Sequence, residues 1–181
     1  MSETESKGIH LIAQHIGSFR IPDGKVDIAD PGIDRGNYTS LDIKPGDYYC
    51  LAYTEGGKSA TVWASLIVHQ DEFGKGKTGV REIGKPEYWA EVAKVNVYSG
   101  MAGFFASKPD FAPEVWQGIC YSLTLDNSNA YIRSFIHDQK VHEGFFTTSG
   151  LGDGTYSVYA IYKRNKIVAL EIRFYLGGIT K

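Results

Sequence analysis

A glycine-rich stretch near the C-terminal end is the best candidate for a ligand loop. Residues 149–156 carry the sequence SGLGDGTY, with three glycines and one acid in five positions. Glycine reaches backbone conformations that other residues avoid. The backbone N–H groups of such a loop could bind an anion, and Asp153 could hold a cation or a hydroxyl. The simpler interpretation is an Asx-type turn, in which Asp153 caps its own backbone.

A second Ser-Gly pair, Ser99-Gly100, ends an apolar run and bends the chain. Neither Ser-Gly pair lies in the G-x-S-x-G elbow of a serine hydrolase. The glycine loop also lacks the Gly-Lys-Ser/Thr ending of a P-loop and the alternating acids of an EF-hand. We therefore assign no catalytic residue. The candidate ligand-binding residues are Ser99, Gly100, Ser149, Gly150, Gly152, Asp153, Gly154 and Tyr156.

The histidines and cysteines do not have the spacing of a metal site. His137 and His142 are five positions apart, and so are His10 and His15, while His69 stands alone. A zinc site built from neighbouring residues would need closer pairs. We predict no metal and no cofactor, and surface or loop positions for the histidines. Cys50 and Cys120 lie in apolar sequence, which predicts two buried free thiols.

The acids and the aromatic residues leave more than one interpretation open. Five aspartates in the first quarter of the chain lie mostly beside Gly or Pro, which is typical of turns. A glycosidase would need two carboxylates flanking a cleft, which the sequence does not place. Aromatic side chains could line a groove for a sugar or a peptide, or form the core and rim of a sheet. These are Trp63, Trp89, Trp116, Tyr98, Tyr131 and Tyr159.

Length and charge limit the class of protein. The chain has 181 residues, 43% hydrophobic, and a formal net charge of −2. This predicts a single domain over 1–181 with a real core and a loose tail at 1–9. Lysine and arginine are scattered, which argues against a nucleic-acid partner. No long apolar run and no secretory pattern are present, so we expect no membrane association and a cytoplasmic location.

Alternating apolar residues and glycine turns predict about nine short strands. The clearest lie at 39–43, 48–53, 61–69, 156–162 and 167–175. The first three read as an antiparallel meander. Residues 108–124 have helical spacing. The sequence therefore predicts a mostly β fold, an antiparallel β-sandwich or open barrel with one short helix, with a mixed α+β fold as the alternative.

The chain resembles an uncharacterised bacterial domain family of unknown function. The likeness rests on VYSGMAGFF at 97–105, on the glycine loop, on IVALEIRF at 167–174, and on Trp116 with Cys120 and Thr124. The opening turn at 21–26 and the segment at 41–48, a strand that leads into a Pro-Gly turn, are similar too. The family usually carries an acid where this chain has Tyr98. The resemblance implies a fold rather than an activity, and the change at Tyr98 implies that any role of that acid is lost.

Three functional hypotheses follow. The first is a non-catalytic cytoplasmic binding or interaction domain, with a protein partner or a second copy meeting an exposed strand edge or aromatic patch. The second is a hydrolase-like enzyme with its site at the Ser99 bend and the Gly150 to Gly154 loop. The third is an immunity or accessory protein that acts on a partner protein.

Overall fold

The computed structural model describes residues 11–31, 38–54, 61–73, 89–106, 130–137 and 140–174, and for 130–142 it describes the backbone alone. These residues form eleven strands. The strands are β1 (Ile12–Ile21), β2 (Lys25–Ala29), β3 (Thr39–Asp42), β4 (Gly46–Thr54), β5 (Val62–His69), β6 (Ala90–Val97), β7 (Met101–Phe105), β8 (Ala130–His137), β9 (Lys140–Thr148), β10 (Gly154–Lys163) and β11 (Lys166–Arg173).

The strands form two antiparallel sheets that remain open. The six-stranded sheet has the order β1-β4-β5-β11-β10-β6, and the five-stranded sheet has the order β3-β2-β7-β9-β8. Apolar side chains of both sheets meet in one cluster, which includes Tyr48, Val158 and Ile172 from the first sheet and Ile28 and Phe104 from the second. The mostly β prediction is confirmed, and the architecture is a β-sandwich rather than a closed barrel.

Three predicted features lie outside the described residues or find no counterpart in them. The helix expected at 108–124 and the tail at 1–9 are not among the described residues. Across the ranges that are described, no helix is long and apolar enough to cross a bilayer. The described residues form strands and no helix, so the mixed α+β alternative has no support in that part of the chain.

The predicted meander is half correct. Strands β4 and β5 pair as expected, but β3 pairs with β2 in the other sheet. The chain crosses between sheets at Ile43, which makes a parallel bridge to Ile167. Gly46 then enters β4 with φ of 143°, in a space where a Cβ would stand 2.4 Å from Nε2 of His69. The turn at Pro45-Gly46 thus connects a strand of one sheet to a strand of the other and does not join two paired strands.

Strand β5 also departs from simple alternation. Tyr53 pairs with Ala64 while Thr54 pairs with Val62, so Trp63 is an extra residue, a β-bulge. Val62 and Ile67 consequently face the cluster between the sheets. On the other face, Leu66 and Val68 join a second apolar cluster. A further difference is β7, because the bend expected at 99–103 ends at Gly100 and the strand starts at Met101.

Candidate functional site

The two sequence-predicted loops meet at one end of the sandwich. The N–H of Ser149 donates to the carbonyl of Gly100 at 2.9 Å. Strand β7 leaves the Ser99 bend and pairs with β9, which enters the glycine loop. The loop then leads into β10, where Gly154 pairs with Val97 of β6. The strand pairing therefore brings both Ser-Gly pairs to the same end of the sandwich.

A buried aspartate from a distant strand holds the Ser99 bend. Asp30 follows β2, and its Oδ2 accepts the N–H of Tyr98 at 2.7 Å and the N–H of Ser99 at 2.8 Å. The Ser99 hydroxyl donates to the other carboxylate oxygen. Hydrogen bonds to an ionised group are stronger than neutral ones. The Ser99 hydroxyl is therefore used to fix the bend.

Ser149, and not Asp153, closes the glycine turn. The Ser149 hydroxyl donates to the Gly152 carbonyl at 2.5 Å, and the Gly152 N–H returns to the Ser149 carbonyl at 3.2 Å. The Tyr156 hydroxyl also donates to Gly152, at 2.8 Å. Asp153 is exposed, and it makes no hydrogen bond with any described residue. The Asx-turn interpretation was correct about a self-bonded turn and wrong about the side chain that caps it.

Glycine is required at position 150 by both conformation and space. Gly150 has φ of 50°, and a Cβ there would stand 2.2 Å from the carbonyl oxygen of Val62. The turn is thus pressed against the start of β5. Gly152 also has a positive φ, 86°, but open space surrounds the place of its Cβ. Gly154 begins β10.

Burial raises the pKa of Tyr156, the hydrogen bond with Ser149 lowers it, and the charge of Asp153 raises it further. The net direction is upward. The hydroxyl is therefore a hydrogen-bond donor at neutral pH rather than a base. Its contact with Gly152 stabilises the turn instead of leaving the hydroxyl available for chemistry.

Two large apolar side chains stand exposed on the two loops of this end. Tyr98 is 57% exposed and Leu151 is 50% exposed. Tyr98 follows Val97 directly in the chain, and Val97 pairs with Gly154. The backbones that carry both residues are fixed by the hydrogen bonds of Asp30 and Ser149. This end therefore presents apolar contact area on a preorganised frame.

His10 lies outside the described residues, and none of the other four histidines lies on the two loops of this end. His15 lies beside Tyr49 and Phe73, and His69 lies at the far end of β5 from the glycine loop. His142 precedes Ser149 by seven positions along one extended strand. At roughly 3.4 Å per residue, their backbones are about 24 Å apart. His137 is farther still, since it pairs with Lys140 at the opposite end of β9.

His69 is the histidine that sequence reasoning placed wrongly. It is buried rather than on the surface. Its Nδ1 accepts the N–H of Asp71 at 3.1 Å, so the proton lies on Nε2, which donates to the carbonyl of Pro45 at 3.1 Å. The ring also packs edge-on against Tyr48. The glycine at position 46, which leaves room for the ring, was the sequence signal for this contact.

Cys50 is a buried free thiol, as predicted, and burial raises its pKa well above the usual value. Cys120 is outside the described residues. Among the residues that the structure describes, no three histidines, cysteines or acids lie close enough to hold a metal.

The aromatic residues predicted to form a groove are spread over the molecule. Tyr159 stacks on the guanidinium of Arg173, whose Cζ lies 3.8 Å from the ring centroid, and Trp89 lies on the same cation at 5.8 Å. The Nε1–H of Trp63 is buried and lacks an acceptor among the described residues. Trp116 and the side chain of Tyr131 are not described. Among the members of this set whose side chains are described, Tyr98 is the one that lies on the two loops of this end.

No family model matches the chain, and neither a curated protein nor a solved structure matches it significantly.

Proposed function

We propose that the protein is a non-catalytic, cytoplasmic binding domain that contacts a protein partner through the loop end. By the loop end we mean the Ser99 bend and the Gly150 to Gly154 loop with Tyr98 and Leu151. The observation that carries this proposal is the half-exposed state of these two apolar side chains on hydrogen-bonded loops. An accessory or immunity role towards another protein is one form of such a function.

The chemistry of the loop end favours binding over hydrolysis. A serine nucleophile needs a general base within hydrogen-bond reach. The Ser99 hydroxyl donates to Asp30, but that carboxylate is buried and also accepts the N–H groups of Tyr98 and Ser99, so its contacts hold the bend. The Ser149 hydroxyl donates to a backbone carbonyl. Both described histidine side chains lie elsewhere. Asp153 is left exposed with no described base or nucleophile bonded to it.

Tyrosine and leucine at a fixed loop are well suited to a protein partner. Tyrosine is enriched among the residues that dominate binding energy at interfaces. A preorganised loop loses little conformational freedom when it binds, which raises affinity. The buried, unpaired thiol of Cys50 is compatible with a reducing compartment and supports the cytoplasmic part of the proposal. The resemblance to the bacterial family stays a hypothesis about fold, and Tyr98 is its point of departure.

The test compares two variants of the tagged protein purified from cells of its source. We expect Tyr98→Ser combined with Leu151→Ser to reduce the co-purifying partner at least tenfold. Tyr162→Ser is the matched control, since Tyr162 is 52% exposed at the opposite end of β10. Thermal melting of both variants checks the fold. Undiminished partner in the double variant, or equal loss in the control, would sink the proposal.

A further inference from the structure

A charged cleft lies at the end of the sandwich opposite the loop end. It has a volume of about 390 Å³, within the usual range for small-ligand sites. Its walls come from the segment between β3 and β4, the turn after β5, and the β10–β11 hairpin. The lining residues are Lys44, Asp71, Glu72, Lys163, Arg164, Lys166 and Val168.

Backbone contacts fix the position of these walls. The N–H of Lys44 donates to the Ile167 carbonyl at 2.9 Å, which places Lys44 beside the start of β11. His69 accepts the N–H of Asp71 and so holds the turn after β5. Arg164 and Asn165 have φ of 50° and 60°, as in the two-residue turns that favour tight hairpins. The cleft is therefore framed by ordered backbone.

The charge of the cleft is positive. Four cationic side chains face two acids. Asp71 lies 2.5 Å from Nζ of Lys44, and Glu72 lies 2.7 Å from Nζ of Lys163. Arg164 and Lys166 make no ion pair with any described residue, and both are exposed. The described residues thus leave two positive charges at the mouth of the cleft without a compensating acid.

We propose that this cleft binds a small, multiply charged anion. Two of its lysines already form ion pairs with carboxylates, so the side chains of the walls are placed to bind anionic oxygens. Arg164 and Lys166 supply the further donors, and guanidinium groups bind phosphate or carboxylate oxygens in pairs. Six of the seven lining residues are charged and none is aromatic. The ligand is therefore compact and polar, of the diphosphate or tricarboxylate class, without a ring to stack.

This site is independent of the proposed partner surface. Lys163 ends β10 while Gly154 begins it, and a strand of this length spans about 30 Å. Loss of one function by substitution at its own end should leave the other unchanged. Asp71 and Glu72 act here as internal competitors for the ligand, because they hold lysines that the anion would otherwise engage. Their neutralisation should tighten binding.

The test is titration of the whole chain with pyrophosphate and with citrate at constant ionic strength, followed by amide chemical shifts. We expect saturable shifts in the β10–β11 hairpin for at least one of these anions, and none for acetate. Arg164→Asn with Lys166→Gln should weaken binding at least tenfold, since asparagine keeps the turn conformation. Asp71→Asn should strengthen it several-fold. Lys94→Gln, on an exposed position of β6, is the control.

Each outcome is decisive for the cleft. Binding of only one of the two anions supports the proposal and names the anionic group. Absence of saturation with both anions would overturn it. So would binding that survives Arg164→Asn with Lys166→Gln, that falls equally in Lys94→Gln, or that weakens in Asp71→Asn.

Discussion

The hydroxyl of Ser149 stabilises the glycine turn at the loop end. This hydroxyl caps the turn, whereas Asp153 is exposed and makes no hydrogen bond with a described residue. Loss of a hydrogen bond to a partly buried carbonyl typically costs about 1–2 kcal/mol. Exposed side chains that bond to nothing usually contribute within about 0.5 kcal/mol.

We therefore expect Ser149→Ala to lower the free energy of unfolding by about 1–2 kcal/mol. Asp153→Ala should leave it nearly unchanged, although sequence reasoning assigned the capping role to Asp153. Urea denaturation of the two variants measures both values. The opposite ranking would show that the acid, not the serine, holds the turn.

Glu171 and Arg173 form an ion pair on the outward face of the six-stranded sheet. Nε of Arg173 lies 2.6 Å from the Glu171 carboxylate. Burial raises the pKa of Glu171 above its ordinary value of 4.5, and the charge and hydrogen bond of Arg173 oppose this. Burial is the larger cause, so the net direction is upward.

This shift predicts a stability that falls as pH rises. Between the ordinary pKa of 4.5 and the higher pKa of the folded state, the folded protein holds a proton at Glu171 that the unfolded chain has released. The free energy of unfolding must then decrease with pH across that window. Glu171→Gln should remove this part of the pH dependence. Identical pH profiles for the two proteins, measured by urea denaturation from pH 4 upwards, would refute the assignment.

Two glycines let aromatic rings pack on the five-stranded sheet. Gly144 pairs with Phe105, and Gly103 pairs with Phe146. A Cβ on Gly144 would stand 2.3 Å from the Phe105 ring, whereas a Cβ on Gly103 would stand 2.4 Å from the Phe145 carbonyl oxygen. Both phenylalanines on this face are buried, and their rings lie 6.3 Å apart. A side chain on Gly144 would therefore clash with a ring, whereas a side chain on Gly103 would clash with backbone.

Gly144→Ala should therefore destabilise the protein by about 1–3 kcal/mol, and Phe105→Leu should relieve part of that loss. A double-mutant cycle measures the coupling, which we expect to be favourable by about 1 kcal/mol. Gly103→Ala is the matched control, because Phe105→Leu cannot move the carbonyl it would meet. Equal rescue of both glycine variants would contradict the packing described here.

The sequence predicts the positions of strands where apolar and polar residues alternate and turn residues flank the segment. The strand predicted at 61–69 matches β5 to within one residue, and the two strands of the β10–β11 hairpin followed from their alternating residues. The bulge at Trp63 was not predictable, because its residues alternate as a regular strand would. The crossing of β3 and β4 between sheets depends on Ile43 meeting Ile167, a contact 124 positions apart. Local sequence carries no such information.

At the scale of the whole molecule, the two ends of the sandwich differ in chemistry. One end has self-bonded glycine loops with two exposed apolar side chains, and the other has a cleft lined by charge. The hydrolase hypothesis placed Ser99 and the glycine loop at one site, because both border strands, and the two loops do lie at the same end. The cleft was missed, since its cations come from separate turns that only the sheet topology brings together.

Site-specific photocrosslinking in living cells tests the central claim most directly. A benzophenone amino acid replaces Tyr98, Leu151 or, as a control of similar exposure, Tyr162. We predict one discrete protein adduct from positions 98 and 151, which is absent from position 162. Lack of an adduct at both loop-end positions, or the same adduct from position 162, would contradict a partner surface at the loop end.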